Sequence, residues 1–301
     1  MSSFENRKYR VVERLLFATD LSTISNISLS YGKAIARYYD AELNAVHVLD
    51  ESLLSALAED NYPGANIAQR NATAHLLQGL RNELKQAGIR WNVKLLSGHG
   101  VAAEIIKYVE RHRPNLLILS TSGARDVKRL ALGSTAEQIL RSVSCPVFTV
   151  GPHVPAFSNM QVDFKQIVYA TDFSPEARIG ALFAISLASE HDAHISLCHV
   201  VAPSWQPGAN IVRSEESFRR RLERLVPANL RNWRISEYEV EHGDPAEAIL
   251  AFARKRNAEL IILGAHPASG IATHLLPGVA FRVIVEATCP VLTLRSPEST
   301  P

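Results

Sequence analysis

Two carboxylates stand directly after apolar, strand-like runs. Asp20 follows Leu16-Phe17-Ala18-Thr19, and Asp172 follows Val168-Tyr169-Ala170-Thr171; Leu21-Ser22 and Phe173-Ser174 come next. A carboxylate in that place suits two tasks. It can cap a following helix by accepting from the first free N–H groups, or it can receive a ribose hydroxyl or an adenine edge. Position alone leaves both open. A second group of residues is richer in donors: Ser120-Thr121-Ser122-Gly123, nine residues, then Gly133-Ser134-Thr135 opening a helix. Glycine lets backbone approach a phosphate closely, and a helix start offers free N–H groups and the positive end of a dipole. The hydroxyls of Ser134 and Thr135 add donors at the same point. Between the glycines, Arg125, Lys128 and Arg129 face a single acid, Asp126, so the loop is cationic. In isolation this reads as a glycine-bracketed surface loop with a serine cap. Placed over the ends of strands it reads as an anion site.

Other reactive side chains carry less. His47 and His199 end strand-like runs, His99 and His242 follow later ones, and His266 follows another. Zinc asks for three or four ligands, usually with a short spacing such as H-x3-H or C-x2-C. The chain has no such spacing, and no metal site is expected. Cys145 and Cys289 precede prolines, where a small apolar filler is the ordinary role. Glu104 and Glu247 each follow a His-Gly pair, as an acid in an early helical turn does. There is no Ser-His-Asp order, no G-K-[S/T] phosphate loop and no pair of carboxylates divided into acid and base. Nothing in such a set marks an efficient catalyst.

The elements that must hold these residues come in two copies. Leu16–Ser22 reappears as Val168–Ser174, and Val46-His47-Val48 as Cys198-His199-Val200, both 152 positions on. His99-Gly100 with Ala103-Glu104 returns as His242-Gly243 with Ala246-Glu247, 143 positions on, and Cys145-Pro146-Val147 returns as Cys289-Pro290-Val291, 144 on. Landmarks repeating in one order over the whole length mark a tandem duplication. The shrinking offset places an insertion of about eight or nine residues within 50–65 of the first copy, beside the turn signature Asn61-Tyr62-Pro63-Gly64. The stretch 151–163 holds two prolines and no apolar period. We place a first domain at 1–152, a linker at 153–163 and a second domain at 164–301. In the first copy, strands are expected near 12–18, 41–48, 91–97, 116–120 and 147–150, with helices near 23–39, 67–87, 102–111 and 134–142. Leu116–Leu119 and Leu260–Leu263 are continuous apolar runs, as in a central parallel strand covered on both faces. Ile24, Ile27, Tyr31, Ala34 and Ile35 share one helical stripe. Alternating strand and helix implies right-handed crossovers and an α/β, doubly wound parallel sheet in each copy. Such sheets bind ligands beyond the carboxyl ends of their strands, where Asp20 and the 120–135 loop fall.

Composition narrows the classes. The chain has 301 residues, 32 basic against 30 acidic, for a net charge of +2. That balance gives no electrostatic case for nucleic acid or an anionic membrane. No apolar run approaches the roughly 18–20 residues that cross a bilayer, and the first ten residues lack the apolar core of a signal peptide. Three cysteines, Cys145, Cys198 and Cys289, sit in strand-like surroundings. An odd count there points to a reducing compartment, so a cytoplasmic location is expected.

Taken together, the five-stranded pattern, Ala18-Thr19-Asp20, Gly123-(nine residues)-Gly133-Ser134, Ser144-Cys145-Pro146-Val147 and Thr288-Cys289-Pro290-Val291 resemble the universal stress protein family, as a tandem form. The resemblance implies a five-stranded parallel sheet of order 3-2-1-4-5 in each domain, with helices on both faces and domains paired through their last strands. In the family's nucleotide-binding branch it implies ATP over the strand ends, with phosphates on a motif of form G-x2-G-x9-G-[S/T]. Mapped here, Ser120 replaces the first glycine, adding a Cβ and a hydroxyl near the ligand. Gly123 and Gly133 are the second and third, and Ser134 is the hydroxyl residue. Asp20 matches the acid of the first strand, and the backbone around Val48 is where adenine would lie. The second copy departs: Gly264 is kept, Pro267 stands at the second glycine, and Pro277-Gly278 replaces Gly-Ser. Proline donates no N–H, and 268–276 holds no Lys or Arg.

The expectation is a cytoplasmic stress-response protein binding ATP or a related adenine nucleotide, with or without magnesium, through its first domain, as sensor or regulator. The second domain is expected to bind none. A nucleotide-free scaffold acting on an unidentified protein partner is the alternative, and a weak ATPase the third. Internal pairing of the two domains is expected, with a homodimer of chains left open.

Overall fold

The computed structural model describes residues 12–53, 55, 65–121, 132–157, 162–174, 177–203, 211–228, 235–265 and 277–295. They fall into two compact units, Met1–Cys145 with Ala156–Val162, and Pro146–Pro155 with Asp163–Pro301.

The first unit builds β1 (Arg14–Ala18), α1 (Ser25–Tyr39), β2 (Glu42–Asp50), α2 (Ala65–Gln86), β3 (Arg90–Gly98), α3 (Val101–His112), β4 (Leu116–Ser120) and α4 (Ser134–Ser142). Its strands are ordered β3-β2-β1-β4, and β1 runs parallel to both neighbours, Ala18 lying opposite Val46 and Leu119. The apolar run of β4 is covered where it pairs with β1: Leu117 and Ile118 are fully buried, as are Leu15 on β1 and Leu43 on β2. Helix α1 meets the sheet at Leu29 and Gly32, the latter against the side chains of Leu43 and Ile118; of the stripe read from its period Tyr31, Ala34 and Ile35 are buried, while Ile24 and Ile27 are half-buried. It ends at Asp40, whose left-handed backbone (φ 49°) turns the chain into β2.

The second unit contains β5 (Val147–Val150), β6 (Gln166–Ala170), α5 (Ala177–Glu190), β7 (His194–Val201), α6 (Ile211–Leu225), β8 (Ile235–His242), α7 (Pro245–Lys255), β9 (Leu260–Ala265), α8 (Pro277–Glu286) and β10 (Val291–Arg295). Its order is β5-β10-β9-β6-β7-β8. Read from the far edge, β8-β7-β6-β9-β10 is the 3-2-1-4-5 order, all parallel. The fifth strand of the first copy, β5, is grouped with this unit and pairs antiparallel with β10, Leu292 facing Phe148. Buried hydroxyls add to that ladder: Thr149 Oγ1 donates to the carbonyl of Val291 at 2.8 Å, and Thr293 Oγ1 to that of Val147 at 3.3 Å. Among the described residues no helix is long and apolar enough to cross a membrane.

Candidate functional site

The carboxyl end of β1 is shaped by hydrogen bonds from short polar side chains. Thr19 Oγ1 accepts the N–H of Leu21 at 2.9 Å and shares a 2.9 Å bond with Ser25 Oγ. Asp20 Oδ1 accepts the N–H of Ser22 at 3.0 Å, and Ser22 Oγ accepts that of Ser25 at 3.2 Å. Ser22 therefore serves the helix start, while Asp20 fixes the turn and stays exposed at the strand end. The turn forces Leu21 to φ 61°, a conformation costly for a branched residue that persists only where its surroundings hold it. The second copy repeats the device: Phe173 has φ 62°, its N–H reaches Thr171 Oγ1 at 3.1 Å, and Ser174 N–H reaches Asp172 Oδ1 at 2.9 Å.

Beside this turn lies a cleft of about 270 Å³, close to the lower bound of roughly 300 Å³ usual for small-molecule pockets. Of the residues expected at a site, Asp20, Val48, Ser120, Gly133, Ser134 and Thr135 all line it. Gly123, Arg125, Lys128 and Arg129 lie outside the described residues. Helix α4 points its first turn into the cleft. Its cap, Gly133, makes no side-chain bond, and its own N–H is held by the carbonyl of Thr121 at 3.0 Å. Gly133 has φ −63° and ψ 144°, which any residue adopts. A Cβ added there would meet nothing closer than Thr121 O at 3.4 Å. Glycine at this position keeps the approach to the helix start open; the backbone does not demand it.

Sequence reading missed the walls. Val101, Ile105, Leu119, Ala136 and Ile139 give the cleft an apolar side, and Thr19, Ser25, His47 and Thr121 complete it. The apolar members sit on helical stripes that look like ordinary core, so nothing local marks them. His47 was legible through its repeat. Its Nδ1 lies 2.9 Å from the carbonyl of Thr19, as His199 Nδ1 lies 2.8 Å from that of Thr171. A carbonyl only accepts, so Nδ1 carries the proton in both, and Nε2 is the acceptor of the neutral ring.

Near the β2 and β3 ends, Ser52 Oγ lies 3.3 Å from His99 Nδ1, and His99 Nε2 lies 3.8 Å from Glu51. These are the residue types of a hydrolytic triad. His99 is 73% exposed, however, so its ring is open to water, and the group is a solvated polar cluster. Among the described residues no three His, Cys, Asp or Glu side chains converge as a metal site. Burial raises the thiols of Cys145 and Cys289 to about 12, which leaves them protonated and unreactive.

The corresponding surface of the second unit is built differently. At the place of Val101, 143 positions on, stands Asp244, which caps α7 by accepting the N–H of Glu247 at 3.0 Å. Arg282 of α8 bonds Asp244, Glu247 and Glu286, each at 2.9 Å. Helix α8 opens on Pro277-Gly278-Val279, without a hydroxyl. His199, the counterpart of His47, is packed between rings: Phe173 lies at 4.4 Å and Phe218 at 4.9 Å, with the guanidinium of Arg221 4.1 Å from the Phe173 centroid. Burial is the main force lowering the His199 pKa, with Arg221 adding to it.

The family model described as "Universal stress protein family" matches twice, over residues 12–151 and 163–295. A universal stress protein of Mycolicibacterium smegmatis is 23% identical over 297 residues, covering 93% of this chain and 96% of its own. One from Methanocaldococcus jannaschii is 27% identical over 139 residues, 46% of this chain and 81% of its own. The crystal structure of a universal stress protein from Archaeoglobus fulgidus superposes with a TM-score of 0.69 at 22% identity, over 95% of this chain and 97% of that one. Matched by the family model in both halves, the chain belongs to the universal stress protein family, as a tandem of two of its domains.

Proposed function

We propose that the first unit binds ATP or a related adenine nucleotide and that the protein acts as a stress-response sensor or regulator, with occupancy rather than turnover as the event. The observation that carries this reading is the convergence of Asp20, Val48, Ser120, Gly133, Ser134 and Thr135 on one cleft at the strand ends. The apolar wall of Ile105, Ile139 and Val101 suits a purine, and the backbone of Val48 is where its edge would be read. Asp20 stands where a ribose hydroxyl would donate. The first turn of α4, with its free N–H groups, dipole and two hydroxyls, suits phosphate. At about 270 Å³ the cleft matches the nucleoside, with the phosphates at its mouth over the helix start. Among the described residues of the second unit the same place is poorer in donors: Pro277 offers no N–H, and Arg282 is engaged by three carboxylates.

Isothermal titration of the full chain with ATP and magnesium, and separately with AMP, tests the reading. One site per chain at micromolar affinity is expected. Absence of heat near millimolar protein and ligand would remove nucleotide binding and leave a protein-interaction scaffold.

A further inference from the structure

The two copies differ at one helix face. In the first unit the chain that left at Cys145 returns at Ala156, and Phe157 packs on α1. The N–H of Phe157 donates to Ser30 Oγ at 3.1 Å, and its ring lies 5.1 Å from that of Tyr31, tilted by 40°. The matching positions of α5, 152 residues on, are Ile179 for Ile27, Leu182 for Ser30 and Phe183 for Tyr31. Ile179 is 57% exposed and Leu182 44%, and Phe183 is half-buried. No charged residue occurs from Ile179 to Ser189. Helix α5 thus keeps the form of a face that its counterpart covers, is more apolar by the change from serine to leucine, and stands open.

We propose that the Ile179–Leu182–Phe183 face of α5 is a docking site for an extended peptide segment of a partner protein, anchored by a single aromatic side chain. Three observations fix the kind of occupant. The chain shows what fits this face, because Phe157 between Ala156 and Ser158 occupies the same place on α1. The area is small: the exposed parts of Ile179 and Leu182 come to on the order of 200 Å², against about 800 Å² per partner in a stable interface between folded subunits. That suits a peptide anchor and is too little for a second copy. From Ile179 to Ser189 the helix also carries no charge, and Leu182 lacks the hydroxyl with which Ser30 accepts the Phe157 N–H. Its occupant is therefore held by apolar contact, through a ring flanked by small uncharged residues.

The test uses the isotope-labelled full chain and, as probe, a synthetic peptide of residues 152–161, which contains Phe157. Followed by NMR to millimolar peptide, saturable shifts centred on Gly180, Leu182 and Phe183 are expected. Affinity should fall about tenfold or more when Phe157 of the peptide is replaced by Ala, and equally for the protein variant Leu182→Lys. Leu182 is exposed, so an unchanged Tm of that variant shows that lost binding is not lost folding. Shifts confined to α1, no saturation, or the same affinity for the Leu182→Lys protein would each overturn the proposal. So would self-association of the chain that Leu182→Lys abolishes, which would assign the face to a second copy.

Discussion

Thr19 shows how much of a site can rest on one hydroxyl. Its Oγ1 accepts from Leu21 and bonds Ser25, while its carbonyl orients His47. Replacing it with Val keeps the shape and removes the acceptor, leaving the Leu21 N–H unpaired in a residue already at φ 61°. A loss of about 1–3 kcal/mol in unfolding free energy is expected, measurable by urea denaturation, with weaker nucleotide binding beyond it because Asp20 loses its turn. Gly133→Asp is the complementary change. Its φ of −63° and the 3.4 Å clearance to Thr121 O let an aspartate fold in place, with a negative charge at the start of α4. Calorimetric binding of ATP is expected to disappear while Tm stays within a few degrees of wild type; retained binding would detach the phosphates from α4. The signals for Asp20, Gly133 and Ser134 were local and legible. Those for Ile105 and Ile139 were not, since one side chain can serve both core and cleft, and periodicity reports only burial.

Elements show where a helix and a strand must meet closely. A Cβ on Gly180 of α5 would stand 2.8 Å from the hydroxyl of Tyr169, a fully buried ring on β6. Gly180→Ala is therefore expected to lower stability by about 1–3 kcal/mol through overpacking, despite alanine's better helix propensity. Thermal unfolding of the variant beside wild type decides it. At the other end of α5, His191 is 2% exposed and ringed by Phe164, 5.3 Å away. Burial depresses its pKa to about 4, with Asp163 opposing and Lys165 assisting. The folded state thus holds the ring neutral while the unfolded chain takes up a proton below about 6.5. Stability from this residue is intact above that value, falls as pH drops from about 6.5 to about 4, and changes no further below, for a total of roughly 3 kcal/mol. Urea midpoints at pH 7.5 and 5 should converge in a His191→Leu variant. Element boundaries were legible wherever period and punctuation agreed: β4, β5 and α4 fall where the apolar runs and the Gly133-Ser134 start put them. The antiparallel pairing of β5 with β10 left no local trace, because its register depends on a partner some 140 positions away; the expectation that last strands pair came from the family resemblance alone.

At the scale of the molecule, duplication made the fold readable and divergence makes it informative. Each copy serves as a control for the other: the same Thr-Asp turn and the same His-to-carbonyl bond recur, so departures stand out against a constant frame. Neither unit is one stretch of chain, since 146–155 goes with the second and 156–162 with the first. Separate expression of 1–151 and 163–295, the two segments the family model matches, would leave Thr149 and Val291 on different polypeptides. Both fragments are expected to unfold at a lower temperature than the intact chain, and equal melting would show that the buried β5–β10 ladder contributes little.

Arg282, spread across Asp244, Glu247 and Glu286, has one more implication. On the reading proposed above, a chain whose second copy is tied in this way offers its ligand a single place to sit. A lone site fills from a tenth to nine-tenths over about a hundredfold rise in ligand concentration, with a Hill coefficient of one. The molecule would then answer its signal as a dimmer, reporting how much nucleotide is present, where a pair of coupled sites could have made a threshold.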